Sequence, residues 1–338
     1  MKILSCTTPG LFEYVQRDVP ELKKNHALIK IRCIGVCGTD LHAFQGNQPY
    51  FEYPRVLGHE LSAELIAFDN APGFEMGELV TIIPYFNCGH CIACRKGKMN
   101  CCVNIKVCGV HIDGGMSEYL LVPSASLLHS QGLSFEELAL VEPLAIGAHG
   151  ISKANINTGD YVLVIGAGPI GLGAMEFARI AGAKVIVLDV NESRLKFCED
   201  ILKVDHTINA TSGDIKARLL DLTNGDMPGS IVDATGNLNA INIGFHYLSH
   251  AGNYILIGLQ KDEISFSHPE FHKREAILMS SRNALRVDFD HVISSIKNGL
   301  INPLKYITHR LNFEDVKDQF EQLILPEKKV IKAMISIS

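Results

Sequence analysis

The rhythm of apolar positions along this chain changes once, near residue 145. Before that point apolar residues come in short bursts, ALIKIRCIGV at 27–36, LSAELIAF at 61–68 and ELVTIIPY at 78–85, separated by Gly, Pro, Asn and Asp. Strand-length bursts between turn formers predict a β-rich domain. After it the chain reads YVLVIGAG, a helical stretch PIGLGAMEFARIAG, KVIVLDV, and a helix over 192–202. Near-continuous apolar strands alternating with helices predict a parallel sheet covered on both faces. The alternation resumes at GSIVDAT and AGNYILIGL and fades near 285, before a helix in FDHVISSIKNG and a closing strand in KKVIKAMISIS. The organisation expected is a β-rich domain over 1–145, an α/β domain over 146–285, and a segment over 286–338 that returns to the first domain.

A chain of 338 residues is the size of two ordinary domains. With 47% hydrophobic and 20% charged residues it reads as globular rather than disordered. A net charge of -6 argues against a nucleic-acid partner, which would call for a basic patch. No apolar run reaches the roughly 18 residues of a membrane span. The longest, YVLVIGAGPIGLGAM, carries four glycines and a proline and runs into Glu176. The first residues form no signal-peptide core, so a cytoplasmic protein is expected.

Cys88, Cys91, Cys94 and Cys102 fall within fifteen residues in NCGHCIACRKGKMNCC. Gaps of two residues let three thiolates turn towards one ion, and the fourth closes a tetrahedral shell, as a structural zinc requires. Disulfides and chance clustering are the alternatives, and a reducing compartment disfavours the first. Cys101, beside Cys102, competes as a ligand on spacing alone. Downstream, Gly166, Gly168 and Gly171 in GAGPIG follow a strand and open a helix. Such glycines allow a tight turn and close approach of a pyrophosphate to the helix N-terminus. Asp189 ends the next strand, eighteen residues after Gly171, where an acid can accept the ribose hydroxyls and repel a 2′-phosphate. The nucleotide expected is NAD. Arg194 either packs along the adenine or is a solvated helix charge.

Two further segments, CIGVCGTDLH and PRVLGHE, offer metal ligands: the thiol of Cys37, the imidazole of His59 and the carboxylate of Glu60, with Glu142 later in the chain. Singly, each has an ordinary explanation as a buried thiol, a core histidine or a helix-start acid. Taken in order, GHE at 58–60, CGTDLH at 37–42, the four-cysteine loop, DGGMSEY at 113–119, EPLAIGAHG at 142–150 and GAGPIGLGAM at 166–175 resemble the zinc-dependent medium-chain dehydrogenases. The resemblance spans essentially the whole chain. Within the family it is similar to the polyol and sugar-acid dehydrogenases, and PRVLGHE, GVHIDGG and SSRN are similar to the bacterial L-galactonate-type members.

The resemblance implies a GroES-like catalytic domain with a Rossmann domain, one catalytic and one structural zinc per chain, and NAD. It implies Cys37, His59 and Glu142 as catalytic zinc ligands, with Glu60 a neighbouring acid that binds the metal or its water. Thr39 and His42 would relay the alcohol proton, and Asp40 would support the metal shell. Pro169, Ile170, Thr235, Gly258 and Ser281 would join the glycines in holding the cofactor. Arg282, with Arg286 following, is a candidate for a substrate carboxylate or phosphate. The activity implied is oxidation of a secondary hydroxyl of a hexonate-type sugar acid, with polyol, sugar-phosphate or L-threonine oxidation as alternatives. A zinc- and NAD-binding sensor without catalysis is the non-enzyme alternative. A homodimer or homotetramer is expected. Met116 stands where the family has an aromatic residue, which predicts an altered wall of the substrate pocket.

Overall fold

Strand His26–Val36 is eleven residues long and mostly buried on both faces, which makes it the spine of its sheet. The computed structural model describes residues 1–48 and 51–338, and they divide into two units, Met1–Pro143 with Leu285–Ser338, and Leu144–Ala284. In the first unit the spine pairs antiparallel with Glu60–Phe68 on one side and with Lys332–Ser336 on the other. Leu79–Ile82 and Leu127–His129 extend one edge, Ile307–Asn312 the other, and Tyr119–Pro123 also pairs with the spine. Val, Ile and Leu at these positions suit a pleated, buried surface. Ile29, Ile31, Ile34, Leu61, Leu65 and Val80 are all essentially inaccessible, and each such side chain contributes about 1.5–3 kcal/mol on burial. The rings of Phe12, Phe44 and Phe320 close one end, with centroids 5.1, 5.0 and 5.2 Å apart.

Register in this sheet sets up the chemistry. Gly35 faces Glu60, and Ala333 faces Val36. Glu60 and Gly35 therefore stand side by side, and Lys332, two residues before the Met334 that faces Gly35, lies on the same face of the sheet. Met116, expected in a pocket wall, is instead fully buried in the hydrophobic core, with its Cγ 3.3 Å from where a Cβ on Gly58 would stand. Its backbone N–H donates to the Leu57 carbonyl at 2.9 Å, which turns the side chain inwards.

The second unit holds six parallel strands in the spatial order His206–Asn209, Lys184–Asp189, Tyr161–Ile165, Ser230–Asp233, Asn253–Leu256, Ile277–Ser280. Strand order reverses between Tyr161–Ile165 and Ser230–Asp233, the switch point where sheets of this kind bind ligands beyond their carboxyl ends. Helix Pro169–Ile180 leaves that point with Gly168 as N-cap and Pro169 in its first turn, where a missing N–H costs nothing. Leu172, Met175 and Ala178 on it are buried. The sixth strand, ILMS, is a short edge strand whose end residues Ile277 and Ser280 are exposed. The helix expected in 289–299 spans Arg286–Lys297, and Asp288 starts it by accepting the Leu285 N–H at 2.8 Å.

Candidate metal centre and nucleotide site

Cys37 precedes a short helix, Gly38–Phe44, whose Asp40 is buried. The Asp40 carboxylate accepts the backbone N–H of Cys37 at 2.9 Å and that of Gly58 at 3.1 Å. One side chain thus fixes the backbone of a thiol donor and the backbone just before His59. Its Oδ1 also lies 3.9 Å from His59 Nδ1. The donor atoms of Cys37, His59 and Glu60 all lie within 4.8 Å of one another. Between the two glutamates, the tight triad is formed by Glu60. Glu142, at the start of helix Val141–Ile151, lies in the surrounding shell and accepts a hydrogen bond from the Tyr85 hydroxyl.

Electrostatics here are those of crowded ionisable groups in a dry site. Burial pushes the Glu142 carboxyl up to about 7, opposed by His59 and reinforced by Glu60. Burial lowers His59, but the Cys37 thiol, Asp40 and Glu142 outweigh it and hold the imidazole well above its ordinary value. Burial and Glu142 also raise the Tyr85 phenol, so it stays a donor. His59 Nδ1 and Glu60 Oε1 are buried without a hydrogen-bond partner, a state that costs about 1–3 kcal/mol per group unless something occupies it. A thiol, an imidazole and a carboxylate are the donor types of an open zinc site, and the residues present fit that ion.

Three residues not selected from the sequence complete this centre: Lys332, Gly35 and Tyr85. Lys332 is fully buried; it makes an ion pair with Glu60, and its ammonium donates to the Val36 carbonyl at 3.0 Å. A Cβ on Gly35 would collide with the Glu60 carboxylate, so the glycine is the space in which that carboxylate sits. A lysine inside the otherwise apolar strand KAMIS was the available signal. Tyr85 carried none. Thr39 is half-buried and His42 exposed on the short helix.

The four-cysteine loop converges as its spacing predicts, with the Sγ atoms of Cys88, Cys91, Cys94 and Cys102 within 4.8 Å of one another. Thiolates bound to one tetrahedral zinc at about 2.3 Å would stand about 3.8 Å apart, and Cys91 and Cys94 are at 3.5 Å. All ten cysteines are free thiols, and Cys101 is exposed, outside the cluster. Backbone N–H groups of Cys94 and Val103 hold the Cys91 thiol down at about 6. Desolvation and then the neighbouring sulfurs drive Cys94 up to about 12. A bound cation would favour the thiolate form of all four.

In the second unit Gly166 has φ +100° and its Cβ would come 2.7 Å from Thr235 Cγ2. A Cβ on Gly171 would run into the Gly166 carbonyl, so the turn closes only on glycine. Ile170 follows Pro169 in the first turn of the helix. Asp189 accepts the N–H of Ala167 at 2.6 Å and of Asn191 at 2.7 Å, so the acid assigned to the ribose also braces the glycine turn. Half-buried Arg194 brings Nη1 to 3.9 Å from a Cβ position on Gly168, beside the turn rather than fully solvated. Asp233 accepts the N–H groups of Thr235 and Gly236 at 3.0 and 3.1 Å, and Gly258 packs directly on Gly236. Ser281 is buried with no hydrogen-bond partner for its hydroxyl. A cradle that any Cβ would fill and an orphaned hydroxyl fit a dinucleotide. Arg282 is exposed. Through Nη2, the Arg286 guanidinium donates to the carbonyls of Ala125 and Leu127 at 2.8 and 3.0 Å.

Two metal-ligand clusters on a GroES-like β unit, with a nucleotide-binding parallel sheet, define a zinc-dependent dehydrogenase. The chain belongs to this family: residues 23–132 match the alcohol dehydrogenase GroES-like domain and residues 169–298 the zinc-binding dehydrogenase domain. It is 41% identical to the L-galactonate-5-dehydrogenase of Escherichia coli K12, over 99% of both chains. It is 32% identical to the sorbitol dehydrogenase of Halalkalibacterium halodurans, over 93% of this chain and 94% of that one. An alcohol dehydrogenase structure from E. coli CFT073, complexed with NADH, superposes with a TM-score of 0.92 at 30% identity, over 99% of both chains. No helix among the described residues is long and apolar enough to cross a membrane.

Proposed function

We propose that the enzyme oxidises a secondary hydroxyl of a hexonate-type sugar acid to the keto acid, with NAD as hydride acceptor. The observation that carries this reading is the 41% identity to an L-galactonate-5-dehydrogenase along 99% of each chain. Bound NAD would supply the hydride acceptor for the alcohol carbon, and with the hydroxyl proton released to solvent the products would be a ketone and NADH. Cys37, His59 and Glu60, with Glu142 beside them, would hold a zinc ion that lowers the pKa of the reacting hydroxyl. Half-buried Thr39 would relay the proton, accepting it on its hydroxyl as it gives up its own, and exposed His42 would pass it to solvent. The glycine turn would receive the pyrophosphate at the helix N-terminus, and Ser281, whose buried hydroxyl has no partner, would join it in holding the cofactor.

NAD preference rests on Asp189, whose carboxylate would oppose a 2′-phosphate. Asp189→Ala is expected to narrow the ratio of kcat/KM for NAD over NADP by roughly tenfold or more, the size of a charged hydrogen bond. Equal use of both nucleotides by the wild type would remove the argument. For the acid substrate, Arg282 is the proposed carboxylate partner. Arg282→Ala should raise KM for a hexonate by about one to two orders of magnitude and leave a neutral polyol nearly unaffected. A uniform effect on both substrates would assign Arg282 a structural part. The second reading, polyol oxidation, draws on the 32% identity to a sorbitol dehydrogenase.

A further inference from the structure

Tyr85 stands where two parts of the first unit meet. With Phe86 it forms a short strand that pairs with Lys106–Val107, and the Cys108 N–H donates to the Pro84 carbonyl at 3.0 Å. These contacts close the base of the loop that carries Cys88, Cys91, Cys94 and Cys102. From that base the Tyr85 side chain is buried, its ring edge-on to Phe289 with centroids 6.2 Å apart, and its hydroxyl donates to Glu142 Oε1. Glu142 is itself buried, and the phenol is the donor that fixes one of its oxygens.

A glutamate side chain has three rotatable torsions, and a carboxylate at a metal centre holds its place only when its own oxygens are bonded. Asp40 does this for the backbone around Cys37 and His59, and Lys332 does it for Glu60. We infer that Tyr85 is the positioning residue for Glu142, fixing that carboxylate at the metal centre from the base of the four-cysteine loop. The inference rests on the metal centre proposed above. It assigns the phenol an outer-shell task rather than a touch on the reacting atoms.

The test is release of zinc from the purified, zinc-loaded enzyme to a chromogenic chelator, comparing wild type with Tyr85→Phe. Phenylalanine keeps the ring against Phe289 and removes only the hydroxyl. The wild type is expected to release metal in two phases, and the phase missing from Cys37→Ser belongs to the metal centre. In Tyr85→Phe that phase should be about tenfold faster, the size of a lost hydrogen bond to a charged group, while the four-cysteine phase is unchanged. Cobalt placed in the metal centre should show shifted visible absorption bands in the variant. Wild-type rates and bands in Tyr85→Phe would overturn the inference, and so would equal acceleration of both phases, which is general loosening. Release of only one zinc per chain from the wild type would instead overturn the metal centre itself.

Discussion

Cys37→Ser is expected to carry one zinc per chain where the wild type carries two, and to lose about a thousandfold or more in kcat/KM. A metal acting on the reacting oxygen supplies several kcal/mol of stabilisation, and each ~1.4 kcal/mol is tenfold in rate. Serine at neutral pH is a neutral, harder donor, so the remaining imidazole and carboxylate bind the ion far more weakly. The fold should persist. Cys37 is only partly buried, and the Cys37 N–H bond to Asp40 uses the backbone. Metal analysis together with circular dichroism checks both halves of this expectation. Unchanged metal content would show that the triad is not where the second zinc sits.

Cys91→Ser should fail in the opposite manner, through stability first. The loop from Asn87 to Ile105 has almost no core of its own. Its helical pieces are Ile92–Arg95 and Met99–Cys101, and among its residues Asn100, Cys102 and Ile105 are buried. Without a metal such a loop has little to offset its chain entropy, and in small zinc sites the binding energy of the ion is the folding energy. The variant is expected to lose the four-cysteine zinc, to be cut by protease within the loop, and to melt roughly 10 °C lower. A wild-type melting temperature with the loop still protected would show that the metal there is dispensable.

What the sequence made legible follows from how locally each feature is encoded. The four-cysteine spacing and the glycine turn are short-range patterns, and the structure brings each together. The parallel strands at 161–165, 184–189, 230–233 and 253–256 are near-continuous apolar runs, so their type was readable. Strand Ile277–Ser280 was not, because AILM at 276–279 is a run too short to tell strand from helix. Lys332, marked only by a charge in an apolar strand, and Tyr85, marked by nothing, were missed for a different reason. Lys332 reaches the Val36 carbonyl across 296 residues, and Tyr85 reaches Glu142 across 57. Sheet register and loop closure create those contacts, and no local pattern encodes either. The same limit applied to Arg286, whose bonds to the Ala125 and Leu127 carbonyls depend on the first unit's chain meeting itself. Met116 misled because a departure from a family pattern says that a residue differs, not which way its side chain points.

The measurement that tests the account most directly is NADH formation by the zinc-loaded wild type on L-galactonate and related aldonates, against sorbitol, galactitol, sugar phosphates and L-threonine. The account predicts efficient turnover of a six-carbon aldonate with NAD, weak turnover of the neutral polyols, and loss of both when the metal-centre zinc is withdrawn. Good turnover of sorbitol or galactitol with no activity on any aldonate would contradict the sugar-acid assignment. Turnover that survives removal of that zinc would contradict the metal-assisted chemistry on which the assignment stands.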